Sequence, residues 1–469
     1  MTVLPDKRGM FTDAALYVTP GKEKTMRFFR LVIAATCAFS SVLFADESEI
    51  FPTQTLIRNV NIFDGKNEKL AIGQDVLVED NLIKKIGKGL KTGSGANVIE
   101  GGGRTLMPGL IEMHTHLMFR YGVVVMRGEF DAQAAGAAAM ETLQLYMQMG
   151  YTTVRDVGGN SLGLARNIAA GRLKGPRIYS SGGAISPISG HNDLAMFSEE
   201  PGDDVFTKRG DTHIVTGPIE AREATRKLIR GGASQIKIMV GGGVASDFDP
   251  LESDTMSEEE IRAIVDAAAD FGTYACAHAY TVSSVNRVLD AGGRCIEHGF
   301  LVSKKTLQRM KKIGAVMSLQ PYAAVEVFKE PEKLAGFNAE NQRKARQVRD
   351  GADQMLKWVA ELGVETFAGA DLWQEGLITK TPDDMVLRKR WFPDVEILRQ
   401  NTSSAGRWLA RSGTKNPYRK GPLGVIVEGA YADMLLVDGN PVADVSIMAD
   451  WKKKIRLIIK DGEIYKNTL

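Results

Sequence analysis

Residues 257–280 read SEEEIRAIVDAAADFGTYACAHAY. SEEEIRAIVDAAADFG spaces its apolar residues as one face of a helix, and YACAHA is a short apolar strand that ends in a histidine. The same alternation extends outward in both directions. Strand candidates are IEMHTH (111–116), TTVRDV (152–157), RIYSSG (177–182), QIKIMV (235–240), YACAHA (274–279), CIEHG (295–299), AVMSLQ (315–320) and ETFAGAD (365–371). Helical stretches such as DAQAAGAAAMETLQLYMQMG (131–150) lie between them, its alanines suited to close packing. Eight β/α units in about 300 residues are the inventory of a TIM barrel, whose functional side chains gather at the C-terminal ends of the strands. The chain is therefore expected to be α/β, with a (β/α)8 barrel over 108–420.

The flanks have a different texture. TLIRNVNIFDGKN, DVLVEDNLIKKIGKG and NVIEGGGRTLMPG, before the barrel, are short alternating strands broken by turn residues, and GVIVEGAYADMLLVDGNP and IRLIIKDGEIY repeat that style after it. Residues 46–107 and 421–469 are expected to combine into one small β-sandwich domain. Residues 1–45 are read as a leader: from Met26, MRFFRLVIAATCAFSSVLFADES has two arginines, an apolar run and a small residue, Ala45, before Asp46. That is the pattern of an export signal, which places the mature protein in the periplasm or outside the cell. No other run reaches the roughly 20 apolar residues of a membrane span. Cys276 and Cys295, the cysteines beyond the leader, are expected to be buried free thiols, since two cysteines do not make a disulfide framework. The net charge is +2 and its basic residues are scattered, which argues against nucleic acid as a partner.

His114 and His116 are two apart at the end of the first strand, so both point to the same face, into the barrel mouth. Four of the six histidines, His114, His116, His278 and His298, end strands one, five and six. Strand eight ends in Asp371, where Gly369 and Ala370 leave room for close approach. Strand four carries Lys237 among isoleucine, methionine and valine, where desolvation favours the neutral amine. A neutral amine can capture carbon dioxide, and the resulting carbamate is an anionic ligand able to bridge two ions.

Together PGLIEMHTHL, the strand-four lysine, the histidines of ACAHAY and CIEHG, and the aspartate of AGADL resemble the ligand set of the amidohydrolase superfamily over residues 54–469. Within it the chain is similar to the Xaa-Pro dipeptidase and imidazolonepropionase-like branch and to ochratoxin-hydrolysing amidohydrolases. The resemblance implies two divalent metal ions. His114, His116 and Asp371 would hold the more buried one, His278 and His298 the more exposed one, and N6-carboxylated Lys237 would bridge them opposite a shared hydroxide. Zinc is the default for such imidazole and carboxylate ligands. Asp371 would move the proton from hydroxide to leaving amine, making it catalytic as well as a ligand. His191, in the long loop SGGAISPISGHNDLAMFSEEPGDD, is a candidate to hold the substrate carbonyl or oxyanion beneath a lid. Tyr280 is expected to reach the site and hold a substrate carboxylate.

The expected function is hydrolysis of an amide or peptide bond in a small molecule: a dipeptide, an N-acyl amino acid or an ochratoxin-like amide. Self-association into a homo-oligomer is a further expectation the resemblance carries. A lactonase or phosphoester hydrolase could use the same ligands. A deaminase would have an acidic residue shortly after His278, where this chain has Ala279, Tyr280 and Thr281, and a non-enzymatic scaffold would have lost ligands. Gly241–Gly243 lack phosphate-loop spacing and are read as a tight turn. His213 and the SEEPGDD run are read as surface loop, and residues 321–345 and 373–396 as lining the entrance.

Overall fold

Apolar runs bounded by turn residues form strands at all eight expected places in the computed structural model, which describes residues 53–469. They are β1 (Leu110–Thr115), β2 (Tyr151–Asp156), β3 (Arg177–Ser180), β4 (Ile236–Met239), β5 (Ala275–Thr281), β6 (Cys295–Leu301), β7 (Val316–Leu319) and β8 (Thr366–Ala368). All pair in parallel: β1, β2 and β3 make one sheet, and β4 through β8 run in order through another. Helices separate these strands, as parallel pairing requires. The helix Glu258–Asp270 starts at a capping box, in which Ser257 accepts from the Glu260 amide and Glu260 accepts from that of Ser257, and it buries Ile261, Ile264, Ala267 and Ala268. Helix Ala132–Gln148 buries Ala135, Ala138 and Ala139, the close packing its alanines suggested.

The sequence reading needs correction between β3 and β4. The stretch treated as a lid loop contributes a strand, Ala184–Pro187, which pairs with β4 and with a further strand, Thr212–Val215. His213 therefore lies half-buried in a strand, not in a surface loop. In the acidic run Asp204 is buried, capping the helix Val205–Arg209 through the amides of Phe206 and Thr207. A strand of four residues inside a polar stretch is too brief to show a period.

Strands from both flanks do join one sheet. Gln54–Ile62, Ala71–Glu79, Leu82–Gly87, Asn97–Glu100 and Thr105–Pro108 pair with one another, and Thr105–Pro108 pairs antiparallel with Met434–Val437, which continues to Ile455–Lys460 and Glu463–Asn467. Alternation sorts its faces: Ile57, Val76, Met434, Leu436 and Leu457 pack in a cluster of their own. Leu435, Ile455 and Ile458 face the main core instead. Residues 53–469 form one unit, and none of their helices is long and apolar enough to cross a membrane. The leader and its export signal lie outside the described residues.

The expected free thiols are joined: Cys276 and Cys295 form a disulfide. The physical reason is register, since Cys276 on β5 stands directly opposite Cys295 on β6, with Cα atoms 4.6 Å apart, and both are fully buried. Replacing both cysteines by serine is expected to lower unfolding stability by about 3 kcal/mol, the scale for a loop of this length. Denaturant unfolding with and without the substitutions measures this, and equal stabilities would show that the cross-link contributes nothing.

Candidate metal centre

The floor of the site is set by three atoms. His114 Nδ1 donates to Glu297 Oε2 at 2.7 Å, and His116 Nδ1 donates to the Gly158 carbonyl at 3.3 Å. Each ring is thereby fixed in the tautomer whose Nε2 carries a lone pair. Those two Nε2 atoms are 3.3 Å apart and lie 3.6 and 3.4 Å from Asp371 Oδ1. Oδ1 is buried and has no hydrogen-bond partner. Three electron-rich atoms thus converge with no proton between them, an arrangement that suits a cation and is otherwise repulsive. Burial holds His114 well below the ordinary imidazole range and His116 at about 3, so both are neutral donors.

The other expected residues surround this group. His298 lies with its ring centroid 5.0 Å from that of His114 and 4.6 Å from that of His278. His278 Nε2 donates to the Gly242 carbonyl at 3.2 Å, leaving Nδ1 for a ligand. Lys237 is buried and lines the same cavity; burial pulls its ammonium below the usual lysine range, against the opposing pull of Glu297 and Asp371. Burial likewise raises the Asp371 carboxyl above its ordinary range. His298 and Asp371 both adopt positive φ, +72° and +55°, which non-glycine residues hold only where the surroundings compel it. Gly369 permits the approach of β8 to β1, because a Cβ there would meet the His114 backbone nitrogen at 2.7 Å.

His191 and Tyr280 also face the cavity. The His191 ring stacks on His278 with centroids 4.0 Å apart, and its Nδ1 is 2.6 Å from Ser246 Oγ and 3.2 Å from Asp249 Oδ2. It packs so closely over Gly243 that a side chain at that glycine would occupy the ring, which accounts for part of the triple-glycine turn. The Tyr280 ring stacks on His298, and burial raises its phenol above the usual range, so it is a neutral hydroxyl.

Several supporting residues escaped the sequence reading. Glu297, which holds His114, also accepts from Arg155 Nη2 at 2.6 Å, while Arg155 Nε donates to the Met113 carbonyl and Nη1 lies 2.8 Å from Cys276 Sγ. All of these groups are fully buried. Glu112 accepts from the amides of His114 and Ala370, tying β1 to the end of β8; burial raises its carboxyl to about 8. Asp249 accepts from Gly243, Ser246 and His191. A signal existed for three of them: Glu112, Arg155 and Glu297 are charged residues inside apolar strands, the same anomaly that singled out Lys237. Asp249, in a loop of mixed polarity, carried none.

With that geometry in view, the comparisons converge. The Amidohydrolase family pattern matches residues 105–465. The chain belongs to the amidohydrolase family. It is accordingly a hydrolase of amide bonds, of a class that generally works with divalent metal ions, and the His114, His116 and Asp371 group fits such an ion. A solved amidohydrolase structure superposes with a TM-score of 0.82 at 32% identity, covering 89% of this chain and 100% of the other. A prolidase in complex with N-methylphosphonate-L-proline superposes equally well, TM-score 0.82 at 31% identity over 88% of this chain and 100% of that one. Ochratoxinase from Aspergillus niger is 26% identical over 380 residues, 77% of this chain and 75% of its own length.

The Glu297–Arg155 pair is a buried ion pair whose disruption leaves a charge uncompensated. Glu297→Gln is expected to cost roughly 3–5 kcal/mol of unfolding stability, read by urea denaturation. A cost below about 1 kcal/mol would mean that Arg155 finds another partner.

Proposed function

We propose that the chain is a binuclear-metal amidohydrolase that cleaves an amide or peptide bond of a small substrate. The observation that carries this is the convergence of His114 Nε2, His116 Nε2 and Asp371 Oδ1 without a shared proton. In this reading the two parallel sheets are arcs of one closed (β/α)8 barrel over 108–420, with the flanking sheet belonging to a β-sandwich domain built from 46–107 and 421–469. His114, His116, His278, His298, Asp371 and carboxylated Lys237 would hold the two ions. The Lys237 amine adds to carbon dioxide, forming an N–C bond and releasing a proton, and the carbamate presents two oxygens. Its burial supports that step, because the neutral amine is the reactive form. Zinc suits the donor set best.

Two divalent ions, when bound, supply a water nucleophile at neutral pH and polarise the scissile carbonyl. The chain's own residues do the rest. Asp371 takes the proton of the attacking water and passes it to the leaving nitrogen. His191, whose Nδ1 is engaged by Ser246 and Asp249, turns its Nε2 edge to the substrate oxygen as charge develops there. Tyr280 offers a hydroxyl donor to the substrate carboxylate. Two phenylalanines and a tryptophan, Phe119, Phe337 and Trp373, are among the residues that wall off water around these groups. We place the mature chain in the periplasm or outside the cell; the Cys276–Cys295 disulfide supports this address, since such bonds persist in oxidising compartments.

Elemental analysis of purified chain is expected to give about two divalent ions per protomer. Lys237→Ala should reduce that number and abolish hydrolysis of an amide panel. Well-folded wild-type protein that takes up no metal would sink the binuclear reading. His191→Ala is expected to keep its metal and lose kcat by roughly 10²–10³ with little change in KM. A variant that instead raises KM alone would assign His191 to ground-state binding only.

A further inference from the structure

The floor of the cavity is polar, but its walls are not. Val123 after β1, Phe328, Leu334 and Phe337 after β7, and Trp373 and Leu377 after β8 all line it. Phe328 and Phe337 pack together with ring centroids 6.5 Å apart, and Trp373 meets Phe119 edge to face at 6.3 Å. Among the described lining residues, the only side chains other than histidines that can carry charge are Lys237 and Asp371, both on the floor. The remaining polar groups of the wall, Asn192, Ser246 and Gln374, are neutral.

Two acids that flank lining residues are engaged elsewhere. Glu375 reaches away from Gln374 to Arg120, and Asp249 is fully buried behind His191, where it accepts from Gly243 and Ser246. A free α-ammonium on the acyl side of the substrate would therefore leave water for an apolar wall without meeting a carboxylate, which is unfavourable however well the rest of the molecule fits. A bulky apolar or aromatic acyl group meets the opposite environment, since it exchanges water for aromatic and aliphatic contacts.

Resting on the amidohydrolase reading above, we infer that the substrates are N-acylated amides with a large uncharged acyl group, and that free dipeptides are selected against. The carboxylate of the released amino acid remains compatible with the site, because Tyr280 and Asn192 carry donors.

The test compares 3-phenylpropanoyl-L-phenylalanine with L-phenylalanyl-L-phenylalanine, which share a leaving group and differ only by the α-ammonium. The full chain loaded with zinc is expected to favour the first by tenfold or more in kcat/KM. It should also favour it by tenfold or more over N-acetyl-L-phenylalanine, which lacks the bulk. Phe328→Ala and Phe337→Ala should narrow the second ratio by fivefold or more while bound zinc per protomer stays constant. Equal or faster cleavage of the dipeptide would overturn the inference and leave the amidohydrolase reading standing. Retention of metal with cleavage of none of the three would overturn both.

Discussion

Two imidazole nitrogens and a carboxylate oxygen face one another across less than 4 Å, and everything around them serves to hold that repulsive arrangement in place. Side chains left to themselves would rotate apart or trap a proton. Here they cannot, because the proton of each ring is committed elsewhere, to Glu297 for His114 and to Gly158 for His116. The folded parallel strands thus store an unsatisfied electrostatic demand, and a cation is what answers it.

The support for this demand is layered along the strands. Beneath the histidines, Glu297 and Arg155 neutralise each other in a fully buried pair, and Arg155 reaches the Cys276 sulfur of the disulfide that ties β5 to β6. The register Cys276 opposite Cys295 is followed, two residues later, by His278 opposite Glu297. One ladder therefore sets the disulfide, the orientation of His114 and the position of His278. Across the other seam, Glu112 joins the amides of His114 and Ala370, so the strand that presents two histidines is fixed to the one that ends in Asp371. Positive φ at His298 and Asp371 marks where the chain gives up backbone comfort for side-chain aim.

Above the floor the character of the walls reverses. Aromatic and aliphatic residues from segments after β1, β7 and β8 enclose the cavity, while the loop after β3 brings His191 down onto His278. That loop is part strand rather than free lid, which gives His191 a fixed base. Asp249 completes the assembly from a second loop, holding the imidazole from behind.

What the sequence determined alone was the class of the fold and most of the residues that gather at the site. Apolar runs alternating with helical stretches specify β/α units because parallel strands are buried on both faces, and histidines, a lysine and an aspartate at strand ends stand out there because polar groups in such runs are costly. Legible too was the split of the flanking sheet between the two ends of the chain. Pairings between distant residues were decided only by the tertiary structure. The disulfide depends on the register of β5 against β6, which a separation of 19 residues does not reveal. The partners of His114 and His191, Glu297 and Asp249, lie 183 and 58 residues away. Local periodicity reports which face of its own element a residue occupies. It does not report what stands opposite, and in this protein the tautomer of a histidine, the state of two cysteines and the polarity of the cavity wall are all set by what stands opposite.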